Sequence, residues 1–344
     1  RPCVINVSLG TNGGPHDGSS LVEMAIDRLV TEAPNRAVVI AAGNSYDEDI
    51  HATGNVPLGE FVDLKWRIPK NDPTSNELEV WYSGQDEFTV EVIGPQKNLV
   101  ATISPGKRWE LAVNDQGILS VINRLNDPNN GDNLINVFFE RGLPGGVWTL
   151  RLYGKKVNDG RFHAWIERDE GGQARFVRPS DKSYNIDNEC TLGSIACGKE
   201  TIVVGSYNAH KKHLPLSPNT SSGPTRDDKE RQDHQRKPDL CAPGELVLAA
   251  HSRTLFLRRR QSGTSMAAPV VTGVIALMLA EARNREISLD AGTLRKILIE
   301  TAQNDLPNRN SWDPRHGHGR VSAIAVSRVA EMAETGGMSV TSKR

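Results

Sequence analysis

The pattern of apolar and polar positions divides the chain into an outer α/β part and a central β part. Near the start, the apolar run at residues 4–10 predicts a buried strand that ends in a glycine-rich loop. Ser20 and Glu23 form a capping box before residues with helical apolar spacing, and residues 37–42 predict a second buried strand. This order of elements indicates a parallel βαβ unit, and ligands bind at the strand ends of such sheets.

The central part, residues 46–189, shows β-type alternation without helical periodicity. About eight short segments are separated by turns rich in Gly, Pro, Asn and Asp, which predicts an antiparallel sandwich of jelly-roll type. Its tryptophans could bind carbohydrate, but Trp at strand positions usually fills a sandwich core. The predicted strands are residues 62–68, 78–82, 88–93, 99–103, 118–123, 134–139, 148–153 and 162–166.

The α/β pattern resumes after this insertion. We expect a strand at residues 201–206, a buried helix after 265, a helix capped by Ser288 to about residue 302, and a final helix at 323–333. The α/β domain would comprise residues 1–45 and 190–335, the β-domain 46–189, and a disordered tail 336–344. No apolar run approaches the length that spans a bilayer.

A short turn before the buried helix is the strongest candidate for chemistry. It would place Ser265 in the first helical turn, with Pro269 in the same turn, where a missing N–H costs little. Unpaired N–H groups and the helix dipole would stabilise negative charge beside Ser265. Taken alone, such hydroxyls could equally be an N-cap cluster.

The longer motif favours catalysis over capping. Gly-Thr-Ser-Met-Ala-Ala-Pro, residues 263–269, resembles the nucleophile motif of the subtilisin-like serine proteases. Sedolisins share the Gly-Thr-Ser core, but the rest is less typical of them. The resemblance implies Ser265 as the nucleophile and Thr264 among the substrate-binding residues. It also implies a three-layer parallel-sheet domain.

Two strand ends carry the same resemblance. The first resembles the edge along which these proteases pair an extended substrate backbone. The second resembles one wall of the specificity pocket and ends in the oxyanion-hole asparagine, whose side-chain NH2 can donate to a developing oxyanion. A lone asparagine there would be a turn residue. The two segments are Ser8, Leu9 and Gly10, and Ala41, Ala42, Gly43 and Asn44.

The partners of the nucleophile are missing from this sequence. A serine hydroxyl needs a general base and an orienting carboxylate. In this family both lie upstream of the Ser8 segment, in Asp-Ser/Thr-Gly and His-Gly-Thr motifs, and neither motif occurs here. His51 precedes Ala-Thr-Gly but follows Asn44 too closely to take that place. The chain therefore resembles the C-terminal two-thirds of a catalytic domain and should by itself lack efficient proteolysis.

Such a chain should expose the sheet edge where the absent strands would pair. We expect association with the N-terminal portion of the same protein, or self-association.

The formal net charge of -1, from 41 basic and 42 acidic residues, gives no reason to expect nucleic acid or a membrane as a partner. The arginines at 258–260 could favour acidic substrates, but an exposed loop explains them more simply.

Cysteine and histidine usage adds little further chemistry. The four cysteines are too few for a disulfide scaffold and fit small buried thiols, with a Cys190–Cys197 bridge as an open alternative. His316 and His318 fit a turn better than a metal site. No cofactor is expected, and a structural Ca²⁺ typical of the family cannot be placed.

These observations predict a serine endopeptidase that cleaves polypeptides through an acyl-enzyme on Ser265. The alternative is a non-catalytic pseudoprotease whose β-domain binds a partner, although a scaffold would not need Ser265 and Asn44. The family resemblance favours a secreted or periplasmic location.

Overall fold

The computed structural model describes residues 1–70, 72–113, 117–167, 174–226, 236–304 and 312–334, and the predicted tail lies outside them. The chain forms two compact units. Unit 1 comprises Arg1–Gly10, His16–Tyr46 and Leu192–Arg344, and unit 2 comprises Thr11–Pro15 and Asp47–Thr191. Residues 11–15, which the sequence pattern grouped with the α/β part, thus pack with the β part.

Unit 1 is built on a parallel sheet. Its strands are β1 (Cys3–Val7), β2 (Arg36–Ala41), β15 (Ile202–Tyr207) and β16 (Leu240–Pro243), in the order β1-β2-β15-β16. A separate ribbon pairs β17 (Val247–Ala250) with β18 (Arg258–Gln261). The helices are α1 (Leu21–Thr31), α2 (Thr264–Asn284), α3 (Ala291–Glu300) and α4 (Ile324–Glu334), with a 3₁₀ turn at Ser194–Cys197.

Strand β2 lies inside this sheet and is covered on both faces. Val38 and Ile40 pack in one apolar cluster with Val30 of α1. Val39, which points to the opposite face, packs in a second cluster with Ile275 of α2. Helices on both faces explain why the strand reads as a continuous apolar run.

Strand β1 differs from its prediction as a buried strand. It pairs only with β2 and lies at the end of the sheet order, so one flank has no neighbouring strand among the described residues. Ile5 is 41% exposed, and Val4 and Val7 are only half-buried. An apolar run therefore identified the strand correctly but not its position at the sheet edge.

The helix starts show where local patterns suffice. The capping box is confirmed for α1, because the Ser20 side chain accepts from the Glu23 backbone and the Glu23 carboxylate accepts from Ser20. For α3 the predicted cap was wrong. Asp290, not Ser288, caps the helix by accepting from the Thr293 N–H at 2.7 Å.

Glu23 also has an unusual protonation equilibrium. Its carboxyl accepts from the Cys197 N–H at 3.1 Å and is completely buried. Burial raises its pKa to about 8, although the hydrogen bonds from Ser20 oppose that shift.

Helix α2 is longer and more apolar than the sequence analysis allowed. With 21 residues and a mean hydropathy of 1.7, it is long and apolar enough to cross a membrane by length and composition. The prediction overlooked it because small polar residues interrupt the apolar run. Ile275 and Met278 are nevertheless fully buried against the parallel sheet, as in the core helix of a compact domain.

Unit 2 contains antiparallel sheets, and all eight predicted strands occur in it. Four further strands, β3, β8, β13 and β14, were not predicted. The strands are β3 (His51–Asn55), β4 (Phe61–Ile68), β5 (Asn76–Tyr82), β6 (Glu87–Ile93), β7 (Leu99–Ile103), β8 (Arg108–Val113), β9 (Gly117–Arg124), β10 (Asn133–Phe139), β11 (Gly146–Lys156), β12 (Arg161–Glu167), β13 (Arg175–Phe176) and β14 (Tyr184–Ile186).

The strands of unit 2 form two sheets with a common aromatic core. One sheet has the order β14-β3-β12-β5-β10-β9-β8 and the other β13-β4-β11-β6-β7. Trp66 and Trp148 from the second sheet pack edge-on against Phe139 of the first, with ring centroids 4.9 and 4.7 Å away. The tryptophans at 66, 81, 148 and 165 are buried, so a carbohydrate-binding role for them has no structural support.

Candidate active site

The turn after β2 has a backbone shape that requires glycine. Gly43 has a φ of +110°, and a Cβ at this position would lie 2.7 Å from the Ser221 hydroxyl. Ser221, fully buried, donates its backbone N–H to the Gly43 carbonyl at 3.0 Å, and its hydroxyl accepts from the Ser45 N–H at 3.0 Å. These contacts fix the direction in which Asn44 leaves the strand.

The start of α2 is joined directly to this turn. The Thr264 N–H donates to Asn44 Oδ1 at 2.9 Å, and the Gly43 N–H donates to Thr264 Oγ1 at 3.1 Å. A backbone N–H can only donate, so the amide oxygen of Asn44 must face Thr264. The NH2 group is then the other end of the carboxamide, and its nitrogen would lie 3.3 Å from a Cβ on Gly263.

Ser265 is the second residue of α2 and is half-buried. Gly263, with a φ of +140°, precedes the helix, and a Cβ on it would lie 3.2 Å from Asn44 Oδ1. Glycine therefore allows the asparagine side chain to lie close against the helix start. The structure brings Asn44 together with Thr264 and Ser265 although Asn44 and Thr264 are 220 positions apart in the sequence.

Pro269 occupies a different position from the predicted one. It is the sixth residue of α2 and so lies in the second turn, where its missing N–H would have bonded to the Ser265 carbonyl. The Ser8 hydroxyl donates to that carbonyl at 2.9 Å instead. Proline thus frees an acceptor on the nucleophile residue, and Ser8 uses it to connect the end of β1 to α2.

The other predicted substrate-binding residues lie around these contacts. Leu9 is 74% exposed after the end of β1, and Gly10 has open space where a Cβ would be. Ala41 and Ala42 are buried, and the Ala42 carbonyl accepts from the Gly193 N–H at 2.9 Å. Ser8 and the Ala41–Asn44 segment therefore both lie at the carboxyl ends of neighbouring parallel strands.

The described residues provide no histidine that hydrogen-bonds to Ser265. His51, weighed above as a superficial match, lies on β3 in unit 2. Its Nδ1 lies 2.8 Å from Asp187 Oδ1, but its Nε2 lies 3.0 Å from His163 Nδ1. An Asp–His pair is present there, yet its second nitrogen faces a histidine and not a hydroxyl.

His316 belongs to a turn, as predicted. Its backbone N–H donates to Asp313 Oδ1 at 2.8 Å, and hydrogen bonding from His316 lowers the Asp313 pKa to about 2. No group of three or more His, Cys, Asp or Glu side chains that could hold a metal ion occurs in the described part of the chain. The Cys190–Cys197 bridge that the sequence left open does not form, since neither cysteine belongs to a disulfide bond.

Sequence reasoning did not predict the structural roles of three residues at this site. Ser221 supports the Gly43 turn, Gly263 admits the Asn44 side chain, and Pro269 frees the Ser265 carbonyl. Only Pro269 offered a local signal, because a proline inside a helical pattern always leaves one carbonyl without its usual partner.

Comparison with known proteins finds similarity to the subtilases over part of the chain. The family model described as Subtilase family matches residues 167–319. Proprotein convertase subtilisin/kexin type 9 of Rattus norvegicus is 32% identical over 158 residues, which cover 44% of this chain and 20% of that protein. The Mus musculus protein is 31% identical over 154 residues, with the same coverage. The matched region thus spans about a fifth of these relatives' length.

A solved structure matches almost the whole chain. The Clostridium perfringens CspB protease superposes with a TM-score of 0.77 at 26% identity, covering 97% of this chain and 68% of that one. The matched region includes the parallel sheet of unit 1 and the antiparallel sheets of unit 2. The chain therefore shares the fold of a subtilisin-like protease.

Proposed function

Residues 167–319 belong to the subtilase family, and from this premise we propose that the chain is the nucleophile-bearing part of a serine endopeptidase. Ser265 is the nucleophile and Asn44 the oxyanion donor in this proposal. Ser8, Leu9, Gly10 and Gly43 form the substrate-binding surface around them, whereas Ala41, Ala42 and Thr264, which the resemblance also assigned to substrate binding, are buried and support that surface from beneath.

The reaction would proceed through an acyl-enzyme. Ser265 Oγ attacks the scissile carbonyl while a histidine from a part of the parent protein outside this chain accepts its proton. The oxyanion is stabilised by the Asn44 NH2 and the Ser265 N–H at the helix start. The carbonyl re-forms, the protonated amine leaves, and water then hydrolyses the ester. Without the histidine, the isolated chain should retain little activity.

The observation that carries this proposal is the 2.9 Å hydrogen bond from the Thr264 N–H to Asn44 Oδ1. It holds the carboxamide beside the first helical turn with its oxygen turned inward. The contact satisfies an N–H at the helix start, as a capping side chain would, and it also places the carboxamide next to the residue that precedes Ser265. That placement is what supports a role for Asn44 in oxyanion stabilisation.

We further propose that unit 2 is a jelly-roll domain inserted into the catalytic domain of unit 1. Strand orders support this, because β3-β12-β5-β10 and β4-β11-β6-β7 are the two four-stranded sheets of a jelly roll. In this description β8 and β9 form an added hairpin beside β10. Strand β14 extends the first sheet next to β3, and β13 extends the second sheet next to β4. A secreted or periplasmic location is part of the same proposal and is supported by the family resemblance alone.

The open edge of the parallel sheet is proposed to bind the N-terminal portion of the same protein. Ile5 on β1 is exposed, and helices on both faces also expose apolar residues two turns apart: Val22 and Leu29 on α1, and Val270 and Leu277 on α2. A further strand beside β1 would cover such an edge. Self-association through β1 is the competing outcome.

Fluorophosphonate labelling tests the catalytic proposal. The chain is mixed with the separately produced N-terminal portion, and modification at Ser265 is followed by mass spectrometry. We expect labelling at Ser265 that is lost in Ser265→Ala. In Asn44→Ala it should slow by about a hundred- to thousandfold, the cost already known for an oxyanion-hole asparagine in this family.

Ser252→Ala, a change at an exposed serine in the nearby ribbon, is the control and should be labelled at the wild-type rate. If the two portions associate but Ser265 is not modified, the pseudoprotease alternative replaces this proposal. An undiminished labelling rate in Asn44→Ala would remove the asparagine from the mechanism.

A further inference from the structure

The β17–β18 ribbon stands apart from both cores. Its strands pair with each other and with no other described strand. Every residue of β18 is exposed, and only Val247 of β17 is half-buried. Two strands alone cannot form a hydrophobic core. Burial in a hydrophobic core therefore does not account for the apolar residues of the ribbon.

The tip of the ribbon is strongly apolar and almost fully exposed. Leu255 is 90% exposed, Phe256 91% and Leu257 63%. The tip loop is closed at its base, because the His251 N–H donates to the Leu257 carbonyl at 2.9 Å. A closed loop that presents three consecutive large apolar side chains to water indicates a contact surface.

The charges of the ribbon are all of one sign. Between Leu246 and Arg260 the sequence contains Arg253 and the three arginines 258–260 but no Asp or Glu, in a chain whose net charge is -1. None of these arginines forms an ion pair with another described residue. The strand register places Leu248 opposite Arg260, so apolar and cationic side chains share one face.

We propose that this ribbon binds the surface of anionic phospholipid membranes. The three tip residues would enter the boundary between headgroups and acyl chains, and the arginines would contact lipid phosphates. An acidic peptide fits less well, because side chains about 90% exposed at a convex tip form no groove for it. This inference revises the expectation, drawn from the charge of the whole chain, that no membrane partner exists.

The ribbon is attached next to the candidate site. The Leu246 N–H donates to the Ser262 hydroxyl at 2.9 Å, and the Gly263 N–H donates to the Gly244 carbonyl at 2.8 Å. Membrane binding does not depend on catalysis. If the proposed protease function also holds, the ribbon would favour polypeptides held near a membrane surface.

Vesicle binding tests the inference with the chain as it stands. Sedimentation is measured with vesicles of phosphatidylcholine and with an equal mixture of phosphatidylcholine and phosphatidylglycerol. We expect binding to the mixed vesicles that weakens as salt rises. The double variant Leu255→Ser/Phe256→Ser should bind at least about tenfold more weakly. Replacing Arg258, Arg259 and Arg260 by Gln should reduce binding by about a hundredfold.

A tryptophan reporter shows which part of the chain enters the lipid. In Phe256→Trp, emission should shift to the blue on binding and be quenched by brominated acyl chains. Leu58→Ser, which changes a 65% exposed leucine of unit 2, is the control and should bind like the wild type. No binding to anionic vesicles, or equal binding by the Leu255→Ser/Phe256→Ser variant, overturns the proposal. Binding of an acidic peptide but not of vesicles would also overturn it.

Discussion

The two units differ in how completely each one buries its own apolar surface. In unit 2, Val62, Leu64 and Trp66 of β4 are buried while the residues between them are exposed or half-buried, and both sheets contribute to one aromatic core. In unit 1 the interior of the sheet is buried equally well, but Ile5 on its edge strand is exposed. Unit 2 thus has the features of a self-sufficient domain, whereas unit 1 has a surface that a further strand would cover.

The interiors also differ in chemistry. The two core clusters of unit 1 contain aliphatic, Met and Cys side chains without an aromatic ring. Unit 1 also buries Glu23, Lys237 and Asp239 completely. Burial lowers the Lys237 pKa to about 8, and the neighbouring Asp239 carboxylate, 3.0 Å away, opposes this shift. Lost aromatic contacts should therefore destabilise unit 2, and the stability of unit 1 should depend on pH.

The largest effect is expected from Phe139→Ala in unit 2. The ring is 1% exposed and packs edge-on against Trp66 and Trp148, so truncation leaves a cavity between the sheets. The free energy of unfolding of unit 2 should fall by about 3–5 kcal/mol. Urea unfolding followed by tryptophan fluorescence measures it, because only Trp312 of the six tryptophans lies outside unit 2.

Phe138→Ala is the matched control for this change. Phe138 is the preceding residue of β10, points to the opposite face and is 36% exposed. Phe138→Ala should lower the free energy of unfolding of unit 2 far less than Phe139→Ala does. Equal losses in the two variants would show that the sheets of unit 2 do not share the packed core described here.

A smaller effect, visible mainly in its pH dependence, is expected from Glu23→Gln in unit 1. In the unfolded chain this carboxyl should ionise near its ordinary pKa of 4.5, whereas in the folded chain the pKa is about 8. Between these values the folded state holds a proton that the unfolded state has lost, so stability falls as pH rises. Because glutamine does not titrate, the Glu23→Gln variant should lack this pH-dependent fall in the free energy of unfolding, which is on the order of 3 kcal/mol.

Urea unfolding followed by far-ultraviolet circular dichroism between pH 5 and pH 8 measures this slope. Glu32→Gln, at an exposed carboxylate at the end of the same helix, should leave the slope unchanged. A wild-type stability that stays constant over this range would mean that Glu23 is ionised in the folded chain, contrary to its burial.

Local patterns predicted the elements whose capping residues or apolar periodicity can be seen in a short stretch of sequence. The α1 cap, the buried β2 run and the eight alternating strands all follow from neighbours in sequence. Strand β3 was missed because its sequence, His-Ala-Thr-Gly-Asn, has no apolar alternation and is held instead by pairing with β12 and β14. The edge position of β1 was missed for a related reason, since apolarity does not show how many neighbours a strand has.

The candidate site shows the same limit. The Thr264–Asn44 contact joins residues 220 positions apart, and only resemblance to a known motif pointed to it. The Ser8–Ser265 hydrogen bond spans 257 positions, and its cause, Pro269 in the second turn of α2, depends on where the helix begins. The freed carbonyl always belongs to the residue four positions before the proline, but whether Ser265 lies inside the helix depends on a helix start that pattern reasoning does not resolve to within a residue or two.

The smallest effect on stability, and the sharpest test of the difference between the units, is expected from Ile5→Lys. Since the side chain is already 41% exposed, the free energy of unfolding of the isolated chain should change by less than about 0.5 kcal/mol. Association with the N-terminal portion should nevertheless weaken strongly, because a lysine on an edge strand opposes pairing. Calorimetric titration measures that association. Leu58→Lys, the same change at an exposed site in unit 2, should leave it intact, whereas unchanged binding by Ile5→Lys would show that β1 is not the docking edge.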